Sequence, residues 1–261
     1  MKRLSGTALP IWFWLFVVYL FLPLFVMAAM GFRDSKFIAF PIHDWTTAWY
    51  RSVLADEEIL SALWISLQAA LYSTVIAVAI GLPMSFVVAR TRGLLRGLMI
   101  AAIVLPAFLP VVVSAIAIRM FLGNLGLETG IAAISFGHAI SSVPFVVIML
   151  LTRLNAMSEN MADAARNLGA DDLIVLFRIV LPFLAPALFG AIMFCLLLSF
   201  EDFVRSFFLG GNKPTFPVLL YAKLRFGFDP GLAAISTIVL IASTALGLYA
   251  ERHIRRRKLG R

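Results

Sequence analysis

The chain has 261 residues, 62% of them hydrophobic and only 14% charged, with a formal net charge of +8. Soluble domains are about a quarter charged, so a water-soluble globule is excluded. Apolar runs of about twenty residues recur along the chain, and the composition leaves an all-helical integral membrane protein.

Six transmembrane helices are expected, over residues 11–30, 60–89, 97–121, 130–152, 183–203 and 231–250. The first follows Lys2 and Arg3 but is longer than a cleaved leader and carries Trp12, Trp14 and Pro23, so it reads as a retained signal anchor. Between the first two spans, Trp45, Trp49 and Tyr50 suit an interfacial aromatic belt. Pro106 and Pro110 in the third span and Pro144 in the fourth predict kinks. Cys195, the single cysteine, falls in the fifth span, where one thiol can make neither an internal disulfide nor a zinc site and reads as a small buried apolar group.

Orientation follows from the basic residues flanking the spans. With both termini cytoplasmic, 14 of the 22 Lys and Arg residues lie inside, among them Arg90, Arg92, Arg96, Arg153, Arg166, Arg178 and the cluster from Arg252 to Arg261. Nine of the 14 acidic residues then lie outside. The C-terminal cluster directly follows a span, where it suits anionic lipid headgroups, so the basic balance does not point to nucleic acid.

One charged, helix-prone segment, MADAARNLGADD at 161–172, interrupts the apolar chain between the fourth and fifth spans. Ala162, Ala164 and Ala165 favour a short helix, Gly169 can end it in a left-handed conformation, and Asp171 or Asp172 can cap the next one. On physics alone this segment, about 158–178, is either a connecting loop or a docking element on the cytoplasmic face. Its spacing is more specific. Asp163-Ala164-Ala165, three residues, Gly169, nine residues, Ile179, one residue and Leu181-Pro182 resemble the EAA signature of the membrane subunits of binding-protein-dependent ABC importers, differing only where Asp163 stands for Glu.

That resemblance implies a six-helix type I ABC importer (MetI-like) permease fold, forming a single transmembrane permease domain over 1–261. It also implies a coupling helix that inserts into a cytoplasmic ATPase. Asp163 would meet a basic or polar group there, Ala164 and Ala165 would allow close approach, Gly169 would supply the turn, and Leu181 and Pro182 would lead into the fifth span. The runs Ser199-Phe200-Glu201-Asp202-Phe203 and Phe216 to Tyr221, with His138 and Pro144, resemble the second permease subunit of spermidine/putrescine-type importers.

Glu201 and Asp202 sit at the outer end of a span, where carboxylates are costly unless they face water or a partner. With Ser199, they are the candidate substrate-pathway residues. Alternatively, Glu201 pairs with Arg205, four residues on. Adjacent residues point in different directions on a helix, so the two acids are expected to differ in role. Arg119 is expected to snorkel toward headgroups rather than to gate the path or pair with Glu128. His138 has no acidic neighbour in sequence and reads as a packing or hydrogen-bonding group. A few of the 23 Phe residues could offer aromatic faces to a polyamine.

No phosphate loop, metal-binding histidine pair or nucleophile elbow occurs, so no catalytic residue, metal site or resident cofactor is expected. The reading is a non-enzymatic permease subunit in a bacterial cytoplasmic (inner) membrane, in contact with membrane lipids. A second, homologous but different permease, two cytoplasmic ATPase subunits binding ATP and Mg, and a periplasmic or extracellular solute-binding protein would complete the assembly. The preferred solute is a polyamine, with iron, thiamine or phosphonate as alternatives on the same machinery. An ion-gradient-driven secondary carrier is the rival; it predicts inverted repeats and midplane charges that are not evident.

Overall fold

The computed structural model describes residues 4–35, 42, 44–227 and 229–259. Of the basic residues used for orientation, Lys2, Arg3, Lys36 and Arg261 lie outside this set. The regular elements among the described residues are helical: α1 Leu4–Met30, α2 Ala48–Ala55, α3 Glu57–Arg90, α4 Gly93–Phe108, α5 Val111–Asn124, α6 Ile131–Asn155, α7 Glu159–Asn167, α8 Asp172–Val175, a π-helical turn Leu176–Val180, α9 Leu181–Glu201, α10 Phe203–Leu209, α11 Phe216–Leu224 and α12 Pro230–Leu259. Five helical stretches are long and apolar enough to cross a membrane, or six if α4 and α5 count as one broken span.

That broken pair corrects the expectation of a kinked third span, because α4 and α5 meet at 100°. Leu109 precedes Pro110 and is held extended, at ψ 139°, as the ring of a following proline requires. Pro110 is extended too, at ψ 128°, and α5 restarts after it. By contrast α6 runs unbroken through the buried Pro144. The fifth span begins earlier than expected, since α8, the π turn and α9 form 30 continuous helical residues from Asp172 to Glu201.

The described residues group into two compact units, those within Met1–Leu60 and Leu220–Ala245 and those within Ser61–Leu219 and Leu246–Arg261. In the first, the aromatic loop residues pack on one another. The Phe32 and Tyr50 rings are 4.6 Å apart, and the Trp49 indole donates to the Arg33 carbonyl at 2.9 Å. Lys223 reaches Glu58 at 2.9 Å and Asp56 at 3.7 Å. Helix α1 exposes Trp12, Phe13, Trp14 and Phe16 to more than half their area, which would be prohibitive in water and is ordinary against hydrocarbon.

In the second unit α6 is the central element, packed by α4, α5, α9 and α10. The first half of its buried face is mostly small and polar, with Ala133, Ser135, Gly137, His138, Ala139, Ser141 and Ser142, and the second half is apolar, with Val146, Val147, Leu150 and Leu151. The small and polar residues allow the close packing and hydrogen bonds on which helix association in lipid relies. Gly81 of α3 illustrates the approach: a Cβ there would lie 2.7 Å from Val146 Cγ1. Cys195 is fully buried in the cluster of Ala77, Val146, Leu150 and Ala191.

Candidate functional site

The charged segment forms the short helix and elbow that its sequence predicts. Helix α7 ends where Gly169 takes φ +87°. Ala170 N–H donates to the Ala165 carbonyl at 3.0 Å and Gly169 N–H to the Arg166 carbonyl at 2.9 Å, the paired bonds of a glycine-terminated helix. Asp171, rather than Asp172, caps α8, its carboxylate accepting from Ile174 N–H at 2.7 Å. Asp172 does different work. Together with Asp163 it holds Arg166, whose guanidinium lies 3.0 Å from Asp172 and 2.9 Å from Asp163. The Asp163 carboxylate that the sequence offers to a partner is therefore shared with Arg166, while its side chain stays 66% exposed.

Leu181 and Pro182 open α9 directly after the π turn. Pro182 has no N–H to donate and its ring would collide with the carbonyl four residues back, a conflict that a local change of hydrogen-bond register relieves. The elbow thus passes through α8 and the π turn into a membrane helix without a loop. Composition missed the most exposed apolar group of the segment, Leu168 at 89%, beside half-exposed Met161. An apolar residue inside a charged run was the available signal.

The pathway candidates separate. Ser199 is buried, its hydroxyl 3.0 Å from that of Ser73 and 2.7 Å from His138 Nδ1. On the other ring edge, His138 Nε2 is 3.2 Å from the Ser206 hydroxyl and 4.0 Å from Asp202 Oδ2. His138 is thus a hydrogen-bonding group, as expected, but its acidic neighbour arrives through space. Asp202 caps α10 by accepting from Arg205 N–H at 2.9 Å and pairs with the Arg205 guanidinium at 2.5 Å. This replaces the Glu201–Arg205 pair, one of the two readings of Glu201. Helix α9 stops at Glu201, Asp202 adopts ψ 93°, and the four-residue spacing never falls on one helical face.

Ser199 and Asp202 are therefore engaged within the chain, and Glu201 is the exposed member of the three. Arg119 is exposed on α5 and makes no ion pair with Glu128 among the described residues. Ser73 and Ser206 escaped the sequence reading. Their signal was periodic: Ser66 and Ser73, two turns apart on α3, are both buried, as are Ser135, His138 and Ser142 on α6.

Comparison with known proteins places these features in a family. The spermidine/putrescine transport system permease protein PotC of Escherichia coli (strain K12) is 27% identical over 234 residues, covering 89% of this chain and 88% of that one. The putrescine transport system permease protein PotI of the same strain is 28% identical, covering 89% and 85%. The molybdenum transport system permease protein ModB of Mycobacterium bovis is 29% identical, covering 92% of each chain. Among solved structures, a bacterial ABC transporter involved in import of the acidic polysaccharide alginate superposes with a TM-score of 0.77 at 16% identity, over 96% of both chains. The MetNI methionine ABC transporter, in an inward-facing conformation, gives 0.64 at 18% identity, over 76% of this chain and 95% of that one. The fold is that of MetI-like ABC importer permeases. Residues 73–259 match the family described as binding-protein-dependent transport system inner membrane component, and the chain belongs to that family as a permease subunit of an ABC importer.

Proposed function

We propose that α7 and its Gly169 elbow are the coupling element of this permease, docking into a cytoplasmic ATPase and passing its closure through α8 and the π turn into α9. The observation that carries this reading is continuity: an exposed nine-residue helix leads by a fixed glycine turn into 30 uninterrupted helical residues. A rigid lever of that kind can transmit a nucleotide-dependent change at one end to the membrane at the other. Leu168 and Met161 supply apolar contact, Ala164 and Ala165 permit close approach, and Asp163 with Arg166 offers polar contact at the same surface.

In this reading both termini are cytoplasmic. Two ATPase subunits hold ATP and Mg, a second and different permease completes the pathway, and an external binding protein delivers solute. Alternating access follows ATPase closure. The solute class that the relatives favour is a polyamine, and Glu201 is the exposed carboxylate suited to a cation at the outer end of α9. The molybdenum-transport relative, with its similar identity and coverage, favours a second reading in which the same machinery carries another small solute.

Purification of the tagged permease in mild detergent, wild type against Gly169→Trp, tests the coupling reading. Wild type should bring down an ATPase and a second permease, with ATP hydrolysis stimulated by the loaded binding protein. The variant should lose the ATPase and the stimulation. Equal recovery and stimulation with both would overturn it. Uptake of radiolabelled putrescine against molybdate by the same assembly in vesicles then decides the solute class.

A further inference from the structure

A cavity of about 620 Å³ opens in the second unit between the ends of α3, α4 and α6 and the coupling segment. Arg90, Arg92, Arg96 and Arg166 line it against a single lining carboxylate, Asp172. Apolar side chains, including Phe86 and Leu176, make up much of the remaining wall. Arg166 is answered by Asp163 and Asp172. Half-buried Arg96 instead donates to the neutral Asn155 side chain at 3.1 Å, and among the described residues neither Arg96 nor Arg90 pairs with a carboxylate.

We propose that this cavity binds the phosphate of an anionic phospholipid through Arg90 and Arg96. Guanidinium groups present a planar donor fork matched to phosphate oxygens. Basic pockets between membrane helices on the cytoplasmic side are suited to such headgroups. Val87, one turn before Arg90 on α3, exposes more than half its surface and gives an acyl chain an apolar contact beside the cavity. Arg166 and Asp172 line the same space, so a bound phosphate sits against the ion pairs that join α7 to α8 and favours the segment packing in which it binds. The proposal rests on the orientation given above in one respect: it assigns the lipid to the inner leaflet.

The test is phosphatidylglycerol retention by the full chain with its co-purified partners, reconstituted in nanodiscs of mixed phosphatidylcholine and phosphatidylglycerol and released for native mass spectrometry. Relative to wild type, Arg90→Gln/Arg96→Gln should retain on the order of tenfold less phosphatidylglycerol, at about one surface-strength interaction per arginine. Arg51→Gln, at an exposed arginine of α2 that does not line the cavity, should match wild type, and the charge-preserving Arg90→Lys/Arg96→Lys should recover much of the loss without requiring the glutamine variant to be well folded. Retention equal to wild type in the glutamine variant overturns the site, as does equal loss in Arg51→Gln. Stabilisation by millimolar inorganic phosphate in phosphatidylcholine-only discs, matching that by phosphatidylglycerol, assigns the cavity to free phosphate and overturns the lipid. Loss of the ATPase with phosphatidylglycerol retained assigns it to an acidic protein contact. Both nanodisc leaflets have the same composition and no readout is transport, so a failure of the orientation or coupling readings leaves this outcome unaffected.

Discussion

The coupling segment and the His138 cluster use the same few residue types in opposite ways. Asp163, Arg166, Asp171 and Asp172 lie within ten residues, bond to near neighbours and face water. Ser73, His138, Ser199, Asp202 and Ser206 come from four helices or helix ends, with Ser73 and Ser199 separated by 126 residues, and they are nearly dry. An exposed ion pair is screened and easily replaced by water. A buried polar group that loses its partner keeps the full cost of its desolvation. Breaking the first region should therefore impair coupling in a folded protein, while breaking the second should impair folding itself.

The largest effect should come from Asp202→Ala. It removes the α10 cap, leaves the nearly buried Arg205 guanidinium without its counter-charge and takes the acidic neighbour from His138. Loss of one partner of a buried pair costs about 3–5 kcal/mol, so detergent melting should shift sharply downward. Asp202→Ala/Arg205→Met should regain part of that loss, because no unpaired charge remains. A double variant no more stable than the single would show that the pair is not the cause.

Gly81→Val should come next. Valine in place of glycine recovers only a few tenths of a kcal/mol, roughly 0.3–0.5, of helix propensity, but overpacking a tight contact costs about 1–3 kcal/mol. The clash wins here because its partner is the stiff, fully buried Val146. Adding Val146→Ala should restore melting toward wild type; failure to do so would locate the strain elsewhere.

The contrast also explains what the sequence disclosed. Apolar runs announced the spans, and the local segment was legible in detail because its helix, elbow and cap depend on residues within a few positions. The same local logic missed the 100° break, since Pro106 and Pro110 were read as kinks while the decisive constraint was on Leu109. It also left open a Glu201–Arg205 pair that the structure does not form, because four-residue spacing implies contact only if the helix continues past Glu201, and Asp202 ends it there. The serines around His138 look like ordinary small polar residues in apolar runs until α3, α6, α9 and α10 are packed together. No local pattern specifies those pairings.

On the exposed side, Gly169→Val should cost less stability than either change above but more coupling. A Cβ at Gly169 meets nothing within 4 Å, so the penalty is the left-handed backbone, about 1–2 kcal/mol, and not crowding. Gly169→Asn should then behave nearly as wild type in ATPase stimulation, since asparagine tolerates that conformation, and Gly169→Ala should fall between. If alanine and asparagine are equally harmful, the elbow's conformation is not what the partner requires.

The smallest effect on stability should be that of Arg166→Gln, and it separates the two regions most cleanly. The Arg166 guanidinium is exposed and its two partners more so, so removing it leaves no buried charge and the melting curve should be unchanged. What is lost is the link from Asp163 on α7 to Asp172 on α8, across the elbow that the proposed coupling uses as a lever. Stimulated ATP hydrolysis and uptake should fall severalfold together. High salt should do to wild type what the substitution does at low salt, because screening weakens the same exposed pairs. Arg166→Lys should recover only part, as one ammonium does not reproduce a planar fork between two carboxylates. Should Arg166→Gln instead lower the melting point as Asp202→Ala does, the segment would be part of the fold's foundation, and the division between an exposed lever and a dry core would fail.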